Sequence, residues 1–139
     1  MCERGQMTIE FAVAFPVLLA VALIALNALM FMAECAAFDN SFRQFTRVHC
    51  ASLAAGNTTH DAAAEVLDCL NQEFNEPNIA ISLEIEGEDL GYTSFVGTLD
   101  FYPTLFGLNF RSSFFGISLW PLQHQESIVL DCYKPGVFI

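Results

Sequence analysis

Gly5, Gln6, Glu10, Phe11 and Pro16 are the residues of this chain whose types and spacing could do specific work. Glu10 sets a carboxylate at the mouth of a run, Phe11 to Ala33, of 23 residues without a charge, interrupted only by Pro16 and Asn27. A carboxylate so placed is costly to keep and is retained where it has a task. One task is pairing inside an apolar helix bundle, where the low dielectric strengthens a pair and penalises an unpaired charge by several kcal/mol. The other reading is a helix N-terminal carboxylate that favours the dipole and reaches back to lipid headgroups. Enzymatic chemistry finds no such footing. His49, His60 and His124 are scattered, and no serine or cysteine lies in a motif that supplies a nucleophile with its base. His124, Ser127 and Asp131 share a strand pattern that points them to mixed faces, and no Gly-rich phosphate loop follows a strand. Neither catalysis nor a cofactor is expected.

The element that must position Glu10 is a membrane helix. At 1.5 Å rise per residue the charge-free run is about 35 Å long, against a hydrocarbon core of about 30 Å. A cleaved secretory signal would have a shorter apolar core and a small-residue cleavage site, which Leu26 to Met32 does not offer. Positive charges do not decide orientation, because Arg4 lies on one side and Arg43 and Arg47 on the other. The size and cysteines of the C-terminal part favour an N-in, C-out single pass. Pro16 removes one backbone hydrogen bond and is expected to loosen or kink the helix locally, which neighbouring helices can compensate.

The stretch Arg4-Gly5-Gln6-Met7-Thr8-Ile9-Glu10-Phe11, leading into the apolar helix, resembles a class III signal cut by a prepilin peptidase. Within that class, Glu10-Phe11-Ala12-Val13-Ala14-Phe15-Pro16 is similar to the opening of TadE/TadF-like pseudopilins, the minor pilins of tight-adherence (Flp-type) pili. Pro16 stands at the family's spacing, six residues after the glutamate. Ile9 replaces a frequent valine, and Glu3 beside Arg4 departs from the more basic head common there. The resemblance covers about residues 4–33. It implies cleavage after Gly5, leaving Gln6 as the first residue and Glu10 at the fifth mature position. It further implies that Glu10 pairs with the new amino group of a neighbouring subunit and so sets axial register. The partners implied are a prepilin peptidase, other pilin and pseudopilin subunits, and a pilus assembly platform in the membrane. An uncleaved single-pass anchor carrying an extracytoplasmic binding module is the alternative.

The chain has 139 residues, 16 acidic and 5 basic, with a net charge of −11. Losing Glu3 and Arg4 together with residues 1–5 leaves that net charge unchanged. Between His60 and Asp100 there are ten acids and no lysine or arginine, a surface that repels nucleic acid and anionic headgroups. The expected organisation is a leader at 1–5, a transmembrane helix at 6–33, and an extracytoplasmic α+β domain at 34–139. Cys2 would leave with the leader, while Cys35, Cys50, Cys69 and Cys132 fall where oxidation is possible. If one helix holds both Cys35 and Cys50, they lie about 22 Å apart along it and cannot bond. Cys69 is the expected bridge partner, with Cys50 or Cys132. No CxxC or His-rich spacing accompanies these cysteines, so zinc is not expected.

Beyond the membrane the pattern reads as a helical hairpin over 34–76 and a small antiparallel sheet over 78–139. Phe38, Phe42, Phe45, His49 and Leu53 form one helical face, so the membrane helix is expected to continue outward as a stalk to about residue 54. Thr58 with Asp61 reads as a capping box, a better account of Asn57-Thr58-Thr59 than a glycosylation sequon. Ala63, Leu67, Leu70 and Phe74 make the second helix's stripe, ending before Pro77. Ile79, Ile81, Leu83 and Ile85 alternate as in a half-buried strand. A turn is expected over 87–91, a second strand at Tyr92–Tyr102, and a last strand at Glu126–Tyr133. Glu84, Glu86, Glu88 and Asp89 read as the solvated face of this hairpin, since no EF-hand loop is present to bind calcium. Between Phe101 and Trp120 the chain is aromatic with a single charge, Arg111. Phe106, Phe110, Phe114, Phe115 and Trp120 either pack on the sheet or present anchors to a partner subunit. A second span is disfavoured by Pro103, Gly107, Arg111 and Gly116.

Overall fold

The computed structural model describes residues 3–50, 53, 57–89, 92–105, 108–109 and 120–132. Helix α1 (Glu3–Cys50) and helix α2 (Thr59–Glu73) precede five strands: β1 (Ile79–Asp89), β2 (Tyr92–Phe101), β3 (Thr104–Leu105), β4 (Leu108–Asn109) and β5 (Leu122–Asp131). β1, β2 and β5 form an antiparallel sheet with β2 in the centre, and β3 pairs with β4 in a separate two-stranded ladder. The fold is α+β, a long apolar helix followed by a second helix and a three-stranded sheet.

α1 is a single helix of 48 residues, roughly 72 Å long, and it passes through Pro16 without a break. Arg47 in its last turn complements the negative end of its dipole. It is described to Cys50, and Leu53, expected inside the same helix, joins the core from outside it. α2 begins as expected. The Thr58 N–H donates to Asp61 Oδ2 at 2.8 Å, and the Asp61 N–H donates to Thr58 Oγ1 at 3.2 Å. The backbone hydrogen bond from Thr58, then the one from its hydroxyl, holds the Asp61 carboxyl below its ordinary value. The buried stripe of α2 runs through Ala62, Ala63, Val66, Leu70 and Phe74. Val66 takes the place expected for Leu67, which is only half-buried and lines a groove with His60, Leu83 and Ile85.

The sheet differs from expectation at its hairpin and its last strand. β1 continues through Glu88 and Asp89, which pair with Thr93 and Tyr92, so part of the stretch expected as a turn belongs to the strand. Gly87 lies within the strand at φ 91°, where the register shifts between Ile85 and Glu88. Glycine adopts that left-handed backbone without the penalty a Cβ would bring. Glu84 and Glu86 are exposed, as the solvated-face reading requires. β5 starts at Leu122, four residues before the expected Glu126, and ends at Asp131.

The inner face of β2, Thr93, Phe95, Gly97, Leu99 and Phe101, is fully buried against the helices. Phe38 and Phe42 of α1 stack with ring centroids 5.7 Å apart, and Phe74, the C-cap of α2, meets Phe38 edge-on at 6.2 Å. Gly97 lies beneath this pair. A Cβ there would stand 2.9 Å from Phe38 Cζ and 3.0 Å from Phe42 Cε2. Both rings are wholly buried and closely packed, so neither can yield freely. Gly97→Ala is therefore expected to destabilise the domain by about 1–3 kcal/mol. Thermal unfolding of the detergent-solubilised chain, followed by near-ultraviolet circular dichroism, checks this, and an unchanged midpoint would contradict the packing.

Candidate functional site

The functional candidates at the N-terminus all lie on the first turns of α1. Gly5 and Gln6 belong to its opening turn, where the first four N–H groups lack helical partners and unwinding costs least. Glu10 is exposed, and Phe11 stacks on Phe15 one turn later with ring centroids 5.8 Å apart. From Met7 to Ala22 every residue is exposed, apolar ones included. Phe11, Leu18 and Ile24 are 68%, 66% and 70% exposed. Burying a large apolar side chain is worth about 1.5–3 kcal/mol, so covering this many would yield tens of kcal/mol. A helix apolar on all sides belongs within lipid or among other helices. α1 carries one stretch long and apolar enough to cross a membrane, near the N-terminus, and none of it is buried in the fold.

The C-terminal half of the same helix is occupied. A contact stripe begins at Leu23 and continues through Asn27, Phe31, Cys35, Phe38 and Phe42 at helical spacing. Asn27 Nδ2 donates to the Thr104 carbonyl at 3.0 Å and to the Leu23 carbonyl at 2.9 Å, while Asn27 Oδ1 accepts from the Thr104 N–H at 2.9 Å. Phe31 meets Phe101 at 5.7 Å. Nearly three turns further along the helix, Ser41 donates to Glu73 at 2.9 Å, tying α1 to α2.

Four charged or titratable side chains clasp α1 to β5. Asp39 and Arg43 lie one turn apart on the helix, and His124 and Glu126 are alternate residues on the inner face of the strand. His124 Nε2 lies 2.7 Å from Asp39 Oδ1, and Arg43 Nε donates to Glu126 Oε1 at 2.8 Å. Since a carboxylate only accepts, Nε2 carries the proton in the first pair. Asp39, His124 and Glu126 bring potential ligand atoms within 4.8 Å of one another. Arg43 places a fixed positive charge on Glu126, which opposes a divalent cation there and makes the group a helix–strand clasp.

Comparison with protein-family models, with curated proteins and with solved structures gives no match to this chain.

Among the described cysteines, Cys35, Cys50, Cys69 and Cys132 carry free thiols. Cys50 is wholly buried, and Cys132 packs against the same core cluster. Cys69 faces His49 instead, with Sγ 3.9 Å from Nε2, and His49 Nδ1 lies 3.1 Å from Glu65. Cys35 and Cys50 sit on one helix, about 22 Å apart along it, too far to bond. Of the aromatic candidates, Trp120 is 85% exposed. Phe106, Phe110, Phe114 and Phe115 lie outside the described residues.

Sequence reasoning missed Asn27 as a functional residue, treating it as an interruption, although a lone amide in an apolar run is itself a signal. It also missed the clasp. The i, i+4 pair Asp39/Arg43 and the i, i+2 pair His124/Glu126 carry complementary charges, but some 80 intervening residues hide their meeting.

Burial, with Cys132 and then Glu65 adding to it, pushes the Cys50 thiol up to about 12. Its thiolate fraction at pH 8 is then roughly a thousandfold below that of an ordinary thiol. Iodoacetamide applied at that pH to the reduced, folded protein is expected to label Cys69 and to spare Cys50 until denaturant is added. Peptide mass mapping reads the outcome, and equal labelling of the two in the folded state would contradict it.

Proposed function

We propose that the chain is a minor pilin or pseudopilin of a tight-adherence pilus, inserted N-in and trimmed after Gly5 by a prepilin peptidase. The observation that carries this reading is the division of α1. Its inner half is an uncovered apolar cylinder with one carboxylate, Glu10, at the entrance, and its outer half is clamped to an acidic α+β domain. A subunit so built offers the inner half to lipid before assembly and to neighbouring pilin helices afterwards. Cleavage would free the Gln6 amino group four residues before Glu10. The Glu10 carboxylate of an adjacent subunit could then meet it in a setting from which water is excluded. Only the correct axial stagger pairs both charges; any other leaves two uncompensated charges in a low dielectric, at a cost of several kcal/mol. The domain's net negative charge suits an exposed, soluble head. The partners are the peptidase, other pilin and pseudopilin subunits, and the membrane assembly platform.

The second reading is an uncleaved single-pass anchor that holds a binding module outside the membrane. The passage of α1 unbroken through Gly5 and Gln6 favours it, because the described residues around that bond are helical rather than extended.

Intact mass of the membrane-extracted protein, with and without an active prepilin peptidase of its own system, separates the two. The expected result is loss of residues 1–5 only with active peptidase, abolished by Gly5→Ala. An unchanged mass in both samples would overturn processing and leave the anchor.

A further inference from the structure

Asn27 is the only polar side chain in the 23-residue run from Phe11 to Ala33, and it spends its amide on the backbone of Thr104. The contact has two points: Oδ1 takes the Thr104 N–H and Nδ2 gives to the Thr104 carbonyl, as a neighbouring strand would. Its depth can be bounded. A hydrocarbon core of about 30 Å takes about 20 helical residues, so a 23-residue run has only about 5 Å of slack. Wherever the bilayer settles within that slack, Asn27 lies about 5–10 Å inside the outer boundary. The start of β3 lies there with it.

Non-helical backbone at that depth needs protein partners, because no water is present to satisfy it. Thr104 has them in Asn27, and β3 pairs with β4 through Thr104–Asn109 and Leu105–Leu108. The same end of the domain carries Phe101 on Phe31, Leu122 paired to Phe101, and Trp120 two residues before Leu122. None of residues 101–105, 108–109 or 120–122 is charged. The nearest acid, Asp100, alternates to the opposite face of the sheet, where it accepts from Gln123 at 3.1 Å. Trp120, 85% exposed to the surroundings, is the residue type that settles at a bilayer's headgroup level.

We propose that this end of the domain is seated in the outer leaflet. Lipid headgroups and upper acyl chains cover Trp120 and the β3–β4 pair, and Asn27 fixes the depth. The domain would thus stand in the membrane surface rather than above it, its height set from within the span. This rests on α1 crossing a bilayer, and not on cleavage or pilus assembly.

The chain has one tryptophan, which makes the test direct. The uncleaved full-length protein is reconstituted into phosphatidylcholine–phosphatidylglycerol vesicles and floated. Trp120 fluorescence is then read with spin-labelled lipids, carrying the label either high on the acyl chain or near its end, and with aqueous iodide. The expected result is strong quenching by the shallow label, weak quenching by the deep one and little by iodide. Asn27→Leu, which keeps the span apolar, is expected to lose shallow-label quenching and gain iodide quenching. Quenching by iodide alone would overturn the seat. Quenching by neither would also overturn it, by showing that protein covers Trp120, whether a second copy or another subunit. Lipid quenching retained in Asn27→Leu would overturn Asn27 as the residue that sets the depth. Failure to float would remove the membrane span itself, on which the proposed function also depends. Flotation without lipid quenching would remove only the seat.

Discussion

The close approach of Phe38 and Phe42 to Gly97 is the contact on which the rest of the structure depends. It brings the outer half of α1 against the central strand, with no side chain between the rings and the β2 backbone. Everything that joins the helix to the domain follows from that distance. β5, hydrogen-bonded to β2, presents His124 and Glu126 at the height of Asp39 and Arg43. α2 closes the other side through Phe74 and Val66. A side chain at position 97 would lift α1 off the sheet and set these secondary contacts out of register.

This packing leaves α1 with two environments along one axis. Beyond Phe31 it is a core helix, amphipathic and matched to a sheet. From Phe11 to Ala22 every residue is exposed, and that surface is apolar on every side. A helix so divided transmits position: whatever holds the inner half, lipid or other helices, fixes where the domain stands. Glu10 and Asn27 are the two polar residues that can register such a position. Glu10 lies at the N-terminal end of the apolar run, and Asn27 ties that run to the domain about 25 Å further along the axis.

Much of this architecture was legible in the sequence because its causes are local. The charge-free run, the Phe38/Phe42/Phe45 periodicity, the Thr58–Asp61 box and the β1 alternation each express one element's own geometry, and each element appears. Boundaries set by tertiary contact were less legible. β5 extends back to Leu122 because Phe101 offers a pairing partner there, not because its sequence alternates strongly. Gly87 reads as a turn residue, yet the pairing of Glu88 and Asp89 with β2 absorbs it as a bulge. Val66 displaces Leu67 from the core because the buried stripe of α2 runs through Ala62, Ala63, Val66 and Leu70, which leaves Leu67 at its edge. The meeting of Asn27 with Thr104, 77 residues away, has no local signature at all. The N-terminal motif is the reverse case. It is legible as a resemblance, while the pairing proposed for it would lie between subunits rather than within one.

The claim on which processing, assembly and the lipid seat all rest is that the inner half of α1 crosses a membrane with the domain outside. Protease added to intact cells whose outer barrier has been removed, followed by alkaline washing of the membranes, tests it most directly. The account predicts that residues beyond the span are digested. An N-terminal fragment containing Phe11 to Ala33 should remain in the washed membrane pellet. A full-length chain released by the wash, or one protected from protease until the cells are lysed, would contradict it.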